Sequence, residues 1–74
     1  MLPAPLPIMI IEVLKRKGSV MTDRDLHNEL SKLLGYEVPL KDFNKALMVL
    51  EIRKVVYVET IKKDLRLIHL LDKH

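Results

Sequence analysis

The sequence predicts an α+β fold: three helices followed by a β-hairpin, with one short strand bridging the first two helices. Three observations predict it. Apolar residues recur at helical spacing in three separate segments, around Ile8 to Leu14, Leu26 to Leu34 and Leu40 to Leu50. The run Val55-Val56-Tyr57-Val58-Glu59-Thr60 is β-branched and extended in character, and a second apolar run from Leu65 to Leu71 follows it after a turn. The composition, 49% apolar and 31% charged, is that of an ordinary folding chain and leaves disorder aside.

The elements follow in order. Met1 to Ile11 carries no charge and contains Pro3, Pro5 and Pro7. Residues 1–6 read as a proline-stiffened extended tail, and residues 7–74 as a single domain, with Pro7 in the first helical turn, where its missing N–H is harmless. Ile8, Ile11 and Leu14 then share a face up to Lys15, Arg16, Lys17 and Gly18. Basic residues in a last turn and a glycine beyond it end a helix, so the first runs from about Pro7 to Lys17. Ser19 to Met21 forms the bridging strand. Thr22 and Asp25 stand in capping-box spacing before Leu26, Leu30, Leu33 and Leu34, so the second helix spans about Asp23 to Leu34 and stops at Gly35. After a turn through Tyr36 to Pro39, residues Leu40, Phe43, Ala46, Leu47 and Leu50 define a third helix ending near Arg53 or Lys54. Its start has no side-chain cap. For residues 65–71 the returning strand is the preferred reading. A terminal helix capped by Asp64 stands beside it, since Leu67, Leu70 and Leu71 also suit a helix and the turn lacks the glycine or asparagine of tight hairpins.

Composition also narrows the function. With no cysteine there is neither a disulfide framework nor a thiolate metal site or nucleophile, which suits the reducing cytoplasm. The uncharged N-terminal stretch falls well short of the roughly 18 residues a membrane span requires and lacks the basic start of a signal peptide. His27, His69 and His74 are far apart in sequence. Asp23 and His27, at i and i+4, offer only two metal ligands, and two do not make a site. No glycine-rich loop exists to hold phosphates, and the scattered carboxylates show no acid and base pairing. A protein without enzymatic activity, metal or cofactor is expected. Absent glutamine and abundant Lys, Arg, Glu, Leu, Ile and Val fit a thermophile.

Charge is unevenly distributed. Residues 1–37 hold five basic and five acidic side chains, whereas residues 38–74 hold eight and five, so the net +3 arises entirely in the second half.

The order helix, strand, helix, turn, helix, hairpin resembles the winged helix-turn-helix superfamily, and small stand-alone archaeal members have this shape. The segment Asp42-Phe43-Asn44-Lys45-Ala46-Leu47-Met48-Val49-Leu50-Glu51 followed by Val55-Val56-Tyr57-Val58 is similar to that family's third helix and first wing strand. Family members usually place a glycine between the two, where this chain has Arg53-Lys54-Val55. The resemblance implies a duplex-DNA-binding protein, in transcriptional regulation, whose third helix enters the major groove while the wing meets an adjacent backbone or minor groove. Carried onto this chain, the implied DNA contacts are Lys41, Asn44, Lys45 and Met48 on the helix and Lys62, Lys63 and Arg66 at the wing tip. Asn44 is the one good base reader among them, suited to adenine.

A protein-interaction module in a larger assembly is the alternative. Met48 and Ile52 lie on the same side as Lys41 and Lys45, and acidic Asp23, Asp25 and Asp42 occupy helix starts that would otherwise attract phosphate. A hairpin from Val55 to Leu71 is apolar on both faces. One face can cover the helices and the other is left for a homodimer or a partner protein, with Tyr57 and Leu67 joining Met48 and Ile52 as interface candidates. Tyr36, Phe43 and Tyr57 are the only aromatics, and Phe43 is assigned to the core, which leaves too few platforms for stacking single strands.

Overall fold

The computed structural model describes residues 4–71 and has the α+β layout expected. Helix α1 spans Leu6–Arg16, strand β1 Val20–Thr22, helix α2 Asp23–Leu34 and helix α3 Leu40–Ile52. Strands β2, Val56–Lys62, and β3, Leu65–Leu70, form the C-terminal hairpin. The sheet is antiparallel with order β1-β3-β2, so the last strand is the central one. Three helices plus this sheet make an arrangement compatible with a winged helix. Of the six-residue tail expected, residues 1–3 lie outside the described residues, and α1 begins one position early, at Leu6. His74 also lies outside the described residues.

Local chemistry accounts for the boundaries. Pro5 and Pro7 sit at the start of α1, where the first N–H groups have no helical partner to lose. The helix closes with the Ser19 N–H donating to the Leu14 carbonyl, while Gly18 takes φ 91°. Thr22 Oγ1 accepts from the Asp25 N–H at 3.1 Å and caps α2, which ends at Gly35 with φ 80°. At the end of α3 the chain departs from the glycine of the family pattern and still turns. Lys54 itself adopts the left-handed φ of 62°, and the Val55 N–H donates back to the Leu50 carbonyl. A lysine in this conformation costs about 1–2 kcal/mol that a glycine would not.

Residues 65–70 form the returning strand, and the terminal helix is set aside. Val56 pairs with Leu70, Tyr57 with His69, Val58 with Ile68, Glu59 with Leu67 and Thr60 with Arg66. The turn is Lys63-Asp64, and neither residue takes a positive φ. A bulge between Thr60 and Lys62 absorbs the twist instead, so the hairpin closes without the asparagine or glycine of a tight primed turn.

The core lies where α1, α2 and α3 meet one face of the sheet. Ile10, Leu14, Leu26, Leu30, Phe43, Leu47, Val56 and Ile68 are all within it, and among the described residues no polar side chain is buried there. Val38 joins them although it lies in the α2–α3 connection, where no periodicity marks it. Its backbone is held on both sides, its N–H donating to Ser31 Oγ at 3.1 Å and its carbonyl accepting from His27 Nε2 at 2.6 Å. Fixing this turn fixes the start of α3.

Replacing Lys54 with glycine should remove the strain at φ 62° and raise stability by about 0.5–1 kcal/mol after the added unfolded-state entropy is subtracted. Valine at the same position should lower stability by about 1 kcal/mol or more. Urea denaturation of both variants checks the pair of outcomes; equal stabilities would contradict a strained turn at this residue.

Candidate nucleic-acid interface

Helix α3 divides into two faces. Phe43, Ala46, Leu47 and Leu50 are buried, at 1 to 5% exposure, while Lys41, Asn44, Lys45, Met48 and Ile52 are exposed. At 3.6 residues per turn, positions 41, 45, 48 and 52 lie opposite the core, and position 44 lies to one side of them. The side of Asn44 is the side of the hairpin.

Asn44 is joined to the hairpin by one side chain. Arg66 Nη2 donates to Asn44 Oδ1 at 2.7 Å. Arg66 Nε donates to Asp23 Oδ2 at 3.0 Å, and the Arg66 backbone N–H reaches Asp23 Oδ1 at 3.3 Å. A single guanidinium therefore links the first residue of α2, the exposed flank of α3 and the central strand. Its side chain is 34% exposed and that of Asp23 only 14%, so the pair is partly withdrawn from water. Arg66 is thus not at the hairpin tip, where the family resemblance puts it. It pairs with Thr60 on the ladder and turns inward. Lys62 and Lys63 are at the tip, both exposed, with Ile61 bulged out beside them.

Beneath this network lies an open cleft of about 410 Å³ between α2, α3 and the hairpin. Arg24, Asn28 and Asp64 line it together with the three linked residues, and Phe43 and Leu40 add apolar lining. His27 borders the cleft as well, but its ring stands edge-on to Phe43 with centroids 5.2 Å apart, and its Nε2 is committed to Val38. That commitment takes up Nε2, and the carboxylate of Asp23, the other member of the two-ligand pair, is already engaged by Arg66. Among the described residues no three His, Asp or Glu side chains come together as a metal cluster.

The four candidates for a protein interface divide between two surfaces. Met48 and Ile52 stand on α3, at 54% and 72% exposure. Tyr57 and Leu67 lie on the outer face of the sheet, since Val56, Val58, Ile68 and Leu70 alternate with them toward the core. Val20 extends that outer face, but a polar pair crosses it, with His69 Nε2 3.0 Å from Glu59 Oε1 and the Tyr57 ring centroid 5.6 Å from that of the imidazole. No helix among the described residues is long and apolar enough to cross a membrane.

No protein-family model, curated protein or solved structure matches the chain.

The lysines and Asn44 can be picked out from the sequence; the roles of Asp23 and Arg66 cannot. By position alone the acidic residue at the start of α2 counts against phosphate, yet its charge is compensated by Arg66. Forty-three positions separate the two, and no local pattern reports such a pair. A double-mutant cycle of Asp23→Ala and Arg66→Ala should give a coupling of about 1 kcal/mol, above that of the exposed Lys17–Glu29 pair at 3.7 Å. Thermal denaturation of the four proteins measures it, and additive effects would mean that the ion pair contributes nothing.

Proposed function

We propose that this chain is a winged-helix protein that binds duplex DNA, with α3 as the groove-reading helix and the β2–β3 hairpin as the wing, and that it serves in transcriptional regulation as a homodimer without chemistry of its own. One observation carries the reading. The exposed flank of α3 and the hairpin are tied into one continuous surface by the Asn44–Arg66–Asp23 network, and cations stand at both ends of it. Lys41 and Lys45 occupy the helix face and Lys62 and Lys63 the wing tip.

Physical chemistry favours a duplex over other anionic partners. Lysines on two separated elements match two stretches of phosphate backbone, while a helix between them is the shape a major groove admits. Met48, apolar and exposed in the same face, suits the thymine methyl as well as a protein surface. Single strands are disfavoured because the exposed aromatics, Tyr36 in the α2–α3 connection and Tyr57 on β2, form no shared platform. The homodimer would use the outer face of the sheet, where Val20 and Tyr57 leave apolar area in water.

A second reading, a winged-helix adaptor in a larger assembly, is favoured by Ile52. At 72% exposure it is the most exposed large apolar side chain of α3, and with Met48 it offers a protein partner an apolar strip that DNA does not need.

Duplex affinity measured between low and moderate salt should fall steeply. Changing Lys41, Lys45, Lys62 and Lys63 together to alanine should flatten the slope of log K against log salt by up to about 3.6, at about 0.9 for each phosphate no longer neutralised. Binding that ignores salt, or an unchanged slope in the quadruple variant, would reject the duplex reading and leave the adaptor.

A further inference from the structure

Among the described residues, Arg66 is the one cation of this surface whose charge is already matched by a carboxylate. We propose that it is a positioning residue for base recognition, not a phosphate contact: anchored by Asp23, it fixes the amide of Asn44 with its oxygen toward the wing and its NH2 group as the end offered to a base. This role rests on the duplex-DNA reading and adds to it a named chemical preference.

The orientation follows from donor chemistry. A guanidinium only donates, so the Asn44 atom 2.7 Å from Nη2 must be the oxygen, and the nitrogen occupies the other limb of the amide. An exposed asparagine ordinarily exchanges these two ends at little cost. Here the exchange would bring an NH2 group against a guanidinium, donor against donor, and break a charge-assisted hydrogen bond. Asp23 opposes the guanidinium's swinging aside, since it holds Nε at 3.0 Å and also receives the backbone N–H of the same residue at 3.3 Å. A central strand, the first turn of α2 and the flank of α3 thus converge on one amide.

The consequence concerns which base edge suits Asn44. Pairing with adenine uses the amide as acceptor and donor together, toward N6 and N7. With its oxygen drawn to the wing and one of its two lone pairs taken by Arg66, Asn44 leads with its NH2 donors, and guanine, whose O6 and N7 both accept, is the better match. The adenine preference expected of Asn44 from sequence gives way to one for guanine. Arg66 differs equally from Lys62 and Lys63 in salt response. Among the described residues those lysines have no carboxylate within ion-pair distance, whereas Arg66 releases few counterions on binding because Asp23 already compensates it.

The test measures affinity and salt slope on duplexes drawn from a randomised pool and then varied one base pair at a time. In the wild-type protein, one position should favour guanine over adenine by roughly tenfold, and Asn44→Ala should abolish that preference, identifying the position. Arg66→Met should free the oxygen and shift the same position toward adenine while leaving the salt slope unchanged. Asp23→Asn, nearly isosteric and milder for folding, should shift it in the same direction by a smaller factor. Lys62→Ala with Lys63→Ala should do the reverse, flattening the slope by up to about 1.8 and leaving the preference intact. Two results overturn the proposal while keeping DNA binding: a wild-type preference for adenine at the Asn44 position, or an Arg66→Met protein that loses salt slope and keeps its base preference. Absence of duplex binding at low salt overturns the duplex reading and the proposal with it.

Discussion

Strand β3 has a neighbour on each side, and the sheet exists only through it. Val20, Met21 and Thr22 pair with His69, Ile68 and Leu67, and β2 pairs along the strand's length except at the bulged Ile61. Ile68 at its middle is fully buried against the helices, and on the same face the strand sends Arg66 to Asp23 and Asn44. The central strand therefore has two tasks on one face. It closes the core, and it sets the angle between the hairpin and α3. Because β3 is the last strand in sequence, the core is complete only when these late residues have docked, and their pairing with β1 is among the most distant in the chain.

Electrostatics acquire a different meaning once that geometry is known. A formal count of charges places Asp23 among groups hostile to phosphate and Arg66 among those that attract it. In the folded protein the two are paired at 3.0 Å, and the same guanidinium donates to Asn44 Oδ1. Among the described residues, Lys41 and Lys45 on α3 and Lys62 and Lys63 at the hairpin tip have no carboxylate within ion-pair distance. On the proposed duplex reading, affinity and selectivity fall to separate groups, lysines for the first and an oriented amide for the second. Such a division suits a small domain, where few side chains can be given a fixed direction by their neighbours.

The helices are legible in the sequence because their signals are local. Thr22 and Asp25, Gly18 and Gly35, and the spacing of Leu26, Leu30 and Leu34 each report on a few neighbouring residues, and the boundaries of α2 follow from them. The hairpin is harder to read because its turn carries no glycine, and the bulge at Ile61 that replaces it has no residue signature. Lys54 is the converse case. A lysine there hides a left-handed turn that a glycine would have announced. Val38 escapes a reading by periodicity for another reason, since its burial depends on His27 and Ser31 across a turn. On the candidate surface, the exposed lysines of α3 can be read from the helical period. The partners of Arg66 cannot, because they lie on two other elements and only the folded sheet brings them within reach.

Whether the lysine-bearing flank of α3 and the wing form one duplex-binding surface can be read from backbone amide shifts of labelled protein, followed residue by residue as a mixed-sequence duplex is added at low salt. Shifts should cluster at Lys41, Asn44, Lys45, Met48, Lys62 and Lys63, with the outer sheet face around Tyr57 and Leu67 unmoved by DNA itself. Shifts that are absent, or spread evenly over the molecule, would contradict such a surface.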